Sequence, residues 1–391
     1  MNSLSEANTK FMFDLFQQFR KSKDNNIFYS PISITSALGM VLLGAKNYTA
    51  KQINKVLHFD QVTENTTEKA ATYHVNRSGN VHYQFQKLLT ELNKSTDEYE
   101  LKIANKLFGE KTYQFLQEYL EVIKNFYQTS VESVDFAHAP EESRKKINSW
   151  VESQTNEKIK NLIPVGAIGN DTTLVLVNAI YFKGQWENKF KKENTKEEKF
   201  WPNKNTYKPI QMMRQYTSFH FASLEDVEAK VLEIPYKGKD LSMIALLPNE
   251  IDGLQKLEEK LTADKLMEWT SLQNMRKTRV DLHLPRFKVE ESYDLKDTLR
   301  TMGMVDIFSG DADLSGMTGG RGLVVSKVLH KAFVEVTEEG AEAAAATAVV
   351  VEELASTLST NEEFHCNHPF LFFIRQNKTN SILFFGRFSS P

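Results

Sequence analysis

The sequence predicts one mixed α+β domain. Three observations carry this. Apolar residues at helical spacing dominate the first 170 residues, and β-rich apolar runs take over from residue 171. No linker or low-complexity tract separates the two halves. Length alone, 391 residues, favours two or three domains, but large sheet-based folds run longer as one unit.

The helical half begins with Ser3-Leu4-Ser5-Glu6, a capping-box pattern, followed by Phe11, Met12, Leu15, Phe16 and Phe19 on one face. Ser30-Pro31 reads as an N-cap and first-turn proline opening a helix over Ile32 to Leu43. That helix is apolar nearly all round and should be buried. Residues 60–80 are polar and turn-rich, which predicts a mobile surface loop.

In the strand half, the apolar run Leu174 to Phe182 suits a central strand. Val231 to Pro235 and Leu241 to Pro248, separated by Tyr236-Lys237-Gly238-Lys239-Asp240, read as a hairpin. Further strands are expected over Val280 to Pro285, Ala332 to Val336, Phe370 to Ile374 and Ser381 to Phe385.

Composition narrows the function. The 48 basic and 51 acidic residues leave a net charge of −3, which offers no field for nucleic acid or membrane. Basic clusters such as Arg144-Lys145-Lys146 are interrupted by acids and read as solvated surface. No apolar run is long enough to span a bilayer, and the first residues lack a signal-peptide pattern. The expected location is the cytoplasm, with release open only to a route that needs no cleavable signal peptide. Cys366 is the sole cysteine, so no intramolecular disulfide forms. It lies in Phe364-His365-Cys366-Asn367-His368, where the two histidines should point different ways along an extended segment, so a structural role is expected.

Enzyme motifs are missing. There is no G-x-S-x-G elbow, no H-E-x-x-H and no phosphate loop. Asp311-x-Asp313-x-Ser315-Gly316 begins like a calcium loop but places Gly322 where a bidentate Glu is required. No metal, no cofactor and no catalytic residue is therefore assigned.

The segment Glu338 to Val351 conflicts with itself. Its Glu/Ala half favours helix, while Val349-Val350-Val351 favours strand. Read with a period of two, Ala341, Ala343, Ala345, Thr347, Val349 and Val351 share one face of small or β-branched residues, and Glu342 and Glu352 fall on the other. Such a segment fits two conformations and can enter a sheet without burying a charge on that face.

Several long motifs then appear in order: Asn178-Ala179-Ile180-Tyr181-Phe182-Lys183-Gly184-Gln185-Trp186, Leu284-Pro285-Arg286-Phe287, Ala312-Asp313-Leu314-Ser315-Gly316-Met317, His368-Pro369-Phe370-Leu371-Phe372, and Phe385-Gly386-Arg387-Phe388-Ser389-Ser390-Pro391. Together they resemble the serpin family across residues 1–391, specifically its intracellular, ovalbumin-type clade B and the squamous cell carcinoma antigen branch within it.

The resemblance implies a single serpin domain with three β-sheets, eight to nine helices and an exposed reactive-centre loop at about 338–363. It implies a hinge at Glu338, Glu339, Gly340, Ala341, Glu342, Ala343, Ala344, Ala345, Ala346 and Thr347. Ser30, Ser33, Asn178 and His330 match the family's shutter beneath the central sheet, and Trp186 caps the top of the gap that opens there. The implied activity is not enzymatic. A target protease cleaves the loop as a suicide substrate, and the freed hinge inserts into the central sheet, trapping the acyl-enzyme. Family spacing from Gly340 places the reactive bond at Leu354-Ala355, with Leu358-Ser359 as the alternative. An apolar Leu354 suits chymotrypsin-like serine proteases such as cathepsin G or chymase. Papain-like lysosomal cysteine proteases of the cathepsin L type, and a non-inhibitory binding role, are the alternatives. The chain is expected to act as a monomer.

Overall fold

The structure is a computed structural model and describes residues 3–62, 79–341 and 361–391. Its strands are β1 (Ile27–Tyr29), β2 (Tyr99–Glu110), β3 (Val131–Val134), β4 (Leu174–Gly184), β5 (Lys196–Asn203), β6 (Thr206–Leu224), β7 (Ala229–Pro235), β8 (Leu241–Pro248), β9 (Arg276–Pro285), β10 (Phe287–Asp294), β11 (Val325–Val336), β12 (Glu362–His365), β13 (Phe370–Gln376) and β14 (Ser381–Phe388). Ten α-helical segments accompany them among the described residues, the mixed α+β architecture the sequence predicts.

Hydrogen bonding organises the strands into two networks. Five strands form one sheet in the order β10-β11-β4-β2-β3. Nine form the other, β1-β14-β13-β8-β7-β6-β9-β12, with β5 added beside β6. The 19-residue β6 explains why the second network is so large. Its first half pairs with β5, its middle with β9, and its last five residues with β7, so one long strand fuses two sheets.

The five-stranded sheet contains the feature that matters most. β11 runs parallel to β4, with His330 opposite Asn178 and Glu335 opposite Lys183. β10 and β2 flank this pair, each antiparallel to its neighbour. β4 reads as a central strand because Leu174 to Phe182 are all buried, as its unbroken apolar run requires.

The first helix, Ser3–Ser22, buries Phe11, Met12, Leu15, Phe16 and Phe19, the face its spacing predicts. The second, Pro31–Gly44, is buried at every position but Leu43. It has no polar stripe because sheets and helices surround it, and it contacts β14, β4 and β2. Phe385 of β14 closes the core beneath the first helix, its ring 5.0 Å from Phe16, 5.9 Å from Phe13 and 6.1 Å from Tyr29.

The structure corrects several sequence expectations. β2 and β3 lie in the half read as helical. The charges of β2 hid it: Lys106, for example, lies 4.7 Å over the Trp150 ring and reaches Glu132 rather than ending a strand. β5 and β6 were likewise obscured by their many polar and exposed residues. The ends of the span 60–80 expected to be a loop are regular structure. A 3-10 turn covers Phe59–Gln61, a helix begins at Gly79, and residues 63–78 lie outside the described residues.

Phe385→Ala removes the ring that Phe13, Phe16, Tyr29 and Phe373 contact. The expected loss is about 3–5 kcal/mol of unfolding free energy by chemical denaturation, and a loss below about 1 kcal/mol would show that this packing is not structural.

Candidate functional site

The site is the β4–β11 seam, together with the chain that leaves β11 above it. Beneath the seam, Ser30 caps the helix Pro31–Gly44: its Oγ accepts from the Ser33 N–H at 3.2 Å and donates to the Leu383 carbonyl at 2.6 Å. That links the helix to β14 of the larger network. The Ser30 backbone N–H donates to His330 Nε2 at 3.0 Å. Nε2 is therefore the bare nitrogen, and Nδ1–H donates to Asn178 Oδ1 at 2.6 Å. The Asn178 amide in turn donates to Ser33 Oγ at 2.6 Å and to the Ser33 carbonyl at 3.2 Å.

Ser30, Ser33, Asn178 and His330, selected from the sequence, are thus brought into one closed hydrogen-bonded chain. His330 is fully buried, and burial pushes its pKa down to about 3. The ring is neutral, and a proton on Nε2 would point at the Ser30 N–H.

Above the seam, Trp186 is buried and stacks on Tyr236 with centroids 4.5 Å apart. Its indole N–H donates to the Thr337 carbonyl at 2.7 Å. The backbone N–H of Trp186 donates to the Glu339 carbonyl, and the Trp186 carbonyl accepts from the Ala341 N–H at 2.9 Å. Gly340 forms a parallel bridge with Trp186. A Cβ there would sit 2.7 Å from the Trp186 carbonyl oxygen and 2.9 Å from Lys189 Cα, both backbone atoms, so only glycine fits.

Two acids hold the chain where it leaves β11. The Glu338 carboxylate is buried and accepts from Thr195 Oγ1 at 2.8 Å, with Arg286 Nη1 at 3.4 Å. Glu339 pairs with Lys183 of β4 at 3.0 Å, and the Lys183 hydrogen bond holds its carboxyl below the usual range. Tyr236 and Thr195 belong to the site but carry no sequence signal for it, while Lys183 and Arg286 lie in quoted motifs that do not show their acidic partners. Arg286 lies 52 positions before Glu338, and only the fold brings them together.

The other residues expected to form the hinge, Glu342, Ala343, Ala344, Ala345, Ala346 and Thr347, and the expected bonds Leu354-Ala355 and Leu358-Ser359, lie outside the described residues. Within the span 338–363 expected to be a loop, Glu362 and Glu363 pair with Val280 and Asp281 in the β12–β9 ladder. Cys366 is fully buried, burial pushes its thiol pKa up, and it is unsuited to nucleophilic work. Asp313 accepts from Ser315 Oγ at 2.6 Å and from Asn47 Nδ2 at 2.8 Å, which gives the calcium-like pattern a structural use.

The histidine burial sets a pH dependence. His82 is also fully buried with its pKa lowered to about 3 by burial. The unfolded chain takes up a proton at each below pH about 6.5, while the folded chain does not. Stability is complete above that pH and falls as pH drops toward 3, by up to about 1.4 kcal/mol per pH unit for each histidine. His330→Gln should lower the thermal midpoint at pH 7.5 and flatten the acid limb of a midpoint-versus-pH curve. An unchanged acid limb in both His330→Gln and His82→Gln would contradict this assignment.

Comparison with known proteins agrees with this geometry. The serpin (serine protease inhibitor) family profile matches residues 6–391. Serpin B3 and Serpin B4 from Homo sapiens are each 90% identical over 391 residues, covering 100% of this chain and 100% of each relative. Among solved structures, uncleaved ovalbumin matches with a TM-score of 0.90 at 40% identity, covering 100% of both chains. Among the described residues, no helix is long and apolar enough to cross a membrane. Since the match takes in seam, hinge start and both strand networks, the chain belongs to the serpin family, a family of protease inhibitors and not of enzymes.

Proposed function

We propose that this chain is an inhibitory serpin acting as a suicide substrate, with Leu354-Ala355 as its reactive bond. The observation that carries the reading is the parallel β4–β11 seam, with the hinge start fixed at its top. A segment that turns back from the end of β11 runs antiparallel to β11, and hence also to β4. Its insertion exchanges one parallel pairing for two antiparallel ones, which are slightly more stable per residue. The face Ala341, Ala343, Ala345, Thr347, Val349, Val351 is small and uncharged, so insertion over that length buries no carboxylate on that side.

The chemistry follows in order. The protease's own nucleophile attacks the carbonyl of Leu354, the peptide bond to Ala355 breaks, and the new amino terminus leaves on Ala355. The acyl-enzyme now hangs from the free end of the hinge. Insertion into the seam draws the protease along before water can attack the ester. An apolar Leu354 directs the bait to chymotrypsin-like pockets, with cathepsin G and chymase as the assigned class. Glu352 and Glu353 disfavour proteases with acidic subsites. Leu358-Ser359 is the competing bond.

Incubation with chymotrypsin or cathepsin G should give an adduct that survives a denaturing gel, and the released peptide should begin at Ala355 by mass spectrometry. A peptide beginning at Ser359 moves the bond to Leu358. Adducts with cathepsin L alone would reassign the target to cysteine proteases, and clean cleavage without any adduct or gain in thermal stability would refute inhibition. Ala343→Arg places a charge on the inserting face, so cleavage should persist while the adduct fraction falls at least about tenfold. An undiminished adduct would contradict insertion.

A further inference from the structure

Asn105, on β2, has a buried side-chain oxygen that no donor reaches among the described residues. Its amide nitrogen meets only the Met40 sulfur, at 3.9 Å, and a thioether is a weak acceptor. The backbone is held in place all the same, because Thr129 Oγ1 donates to the Asn105 carbonyl. An unmet buried amide is a standing cost to a folded chain, and native structures keep few of them.

The strand register gives this one a use. In the antiparallel β2–β4 ladder Asn105 lies directly opposite Asn178. Directly opposed residues project to one face with Cβ atoms about 4.5–5.5 Å apart, close enough for two amides to bond. Both side chains do face the helix Pro31–Gly44, since Asn178 donates to Ser33 and Asn105 touches Met40. Asn178 turns its nitrogen to Ser33 and its oxygen to His330 Nδ1, so in the intact chain nothing is left for Asn105.

Insertion alters that arrangement from one side only. β4 has β11 on one edge and β2 on the other. Opening the seam parts His330 from Asn178, while β2 stays paired with β4 from Tyr99–Gly184 to Gly109–Leu174. Asn178 Oδ1 then loses its donor with Asn105 still across from it. We propose that Asn105 is a positioning residue of the insertion step, its amide leaving the Met40 sulfur to donate to Asn178 Oδ1 as His330 withdraws. This rests on the strand-insertion reading given above. Asn105 is unmet before cleavage and met after it, so it disfavours the starting state and favours the end state. Ser30, Ser33 and His330 differ, because their side chains are all hydrogen-bonded in the intact chain. Sequence reading passed over Asn105 because its strand lies in the half read as helical.

The test is guanidinium denaturation of Asn105→Leu beside the unaltered full chain, each intact and after cleavage in the bait segment by chymotrypsin, freed of adduct. The intact variant should be at least as stable as the unaltered chain, because an unmet polar group is gone. The cleaved variant should have a folding constant about two- to tenfold below that of the cleaved unaltered chain. A residue that only packs would lose stability in both forms. Combined with Asn178→Ala, Asn105→Leu should show coupling in the cleaved form and none in the intact form. Asn105→Ala carries the same comparison if the leucine does not fold. Equal stability of the cleaved forms overturns the role of Asn105, as does a loss in the intact form as large as in the cleaved one. In both cases insertion stands if the unaltered chain gains stability on cleavage. Absence of that gain overturns insertion itself, and the role of Asn105 with it.

Discussion

The parallel seam between β4 and β11 is the constraint on which the rest of this structure depends. This parallel pair is flanked on both sides by antiparallel partners, is slightly less stable per residue than they are, and lies in the interior of the sheet. What crosses beneath it is a neutral hydrogen-bonded chain, His330 to Asn178 to Ser33, anchored through Ser30 to β14. Neutral hydrogen bonds contribute about 0.5–1.5 kcal/mol net each and can be remade with new partners. A buried ion pair in the same place would hold the strands more rigidly, because separating it leaves an uncompensated charge. The choice of histidine and asparagine thus allows a seam that is closed and well defined yet able to part.

The top of the seam is built differently. There the chain leaving β11 is gripped by backbone hydrogen bonds to Trp186, by the buried Glu338 carboxylate, and by the Glu339–Lys183 pair that reaches back to β4. Gly340 permits the close approach that makes the grip. These contacts fix where the segment after Ala341 starts. The proposed function rests on a contrast: a firm pivot at one end and a neutral, separable seam below it.

The sequence picked out Gly340 and the buried Ser30, Ser33, Asn178 and His330 because each position depends on residue type. Only glycine fits at 340, and a buried histidine, asparagine and two serines stand at positions that the family resemblance picks out. The core helices were legible through their spacing: Phe11 to Phe19 buried the expected face, and Pro31 to Gly44 had no polar stripe to expose. What stayed hidden was whatever relies on partners distant in the chain. Lys106 and its neighbours masked β2, since a lysine stem lying along Trp150 looks the same in sequence as a solvated one. Glu338 finding Arg286, and Asn105 lying opposite Asn178, follow from strand register that no local pattern encodes.

The central claim is that cleavage converts the β4–β11 pairing into two new ones. A crystal structure of the chain after cleavage at its bait loop tests it most directly. The account predicts a six-stranded sheet with residues following Ala341 paired between β4 and β11, and His330 no longer bonded to Asn178. A cleaved structure that keeps five strands, with His330 still opposite Asn178, would contradict it.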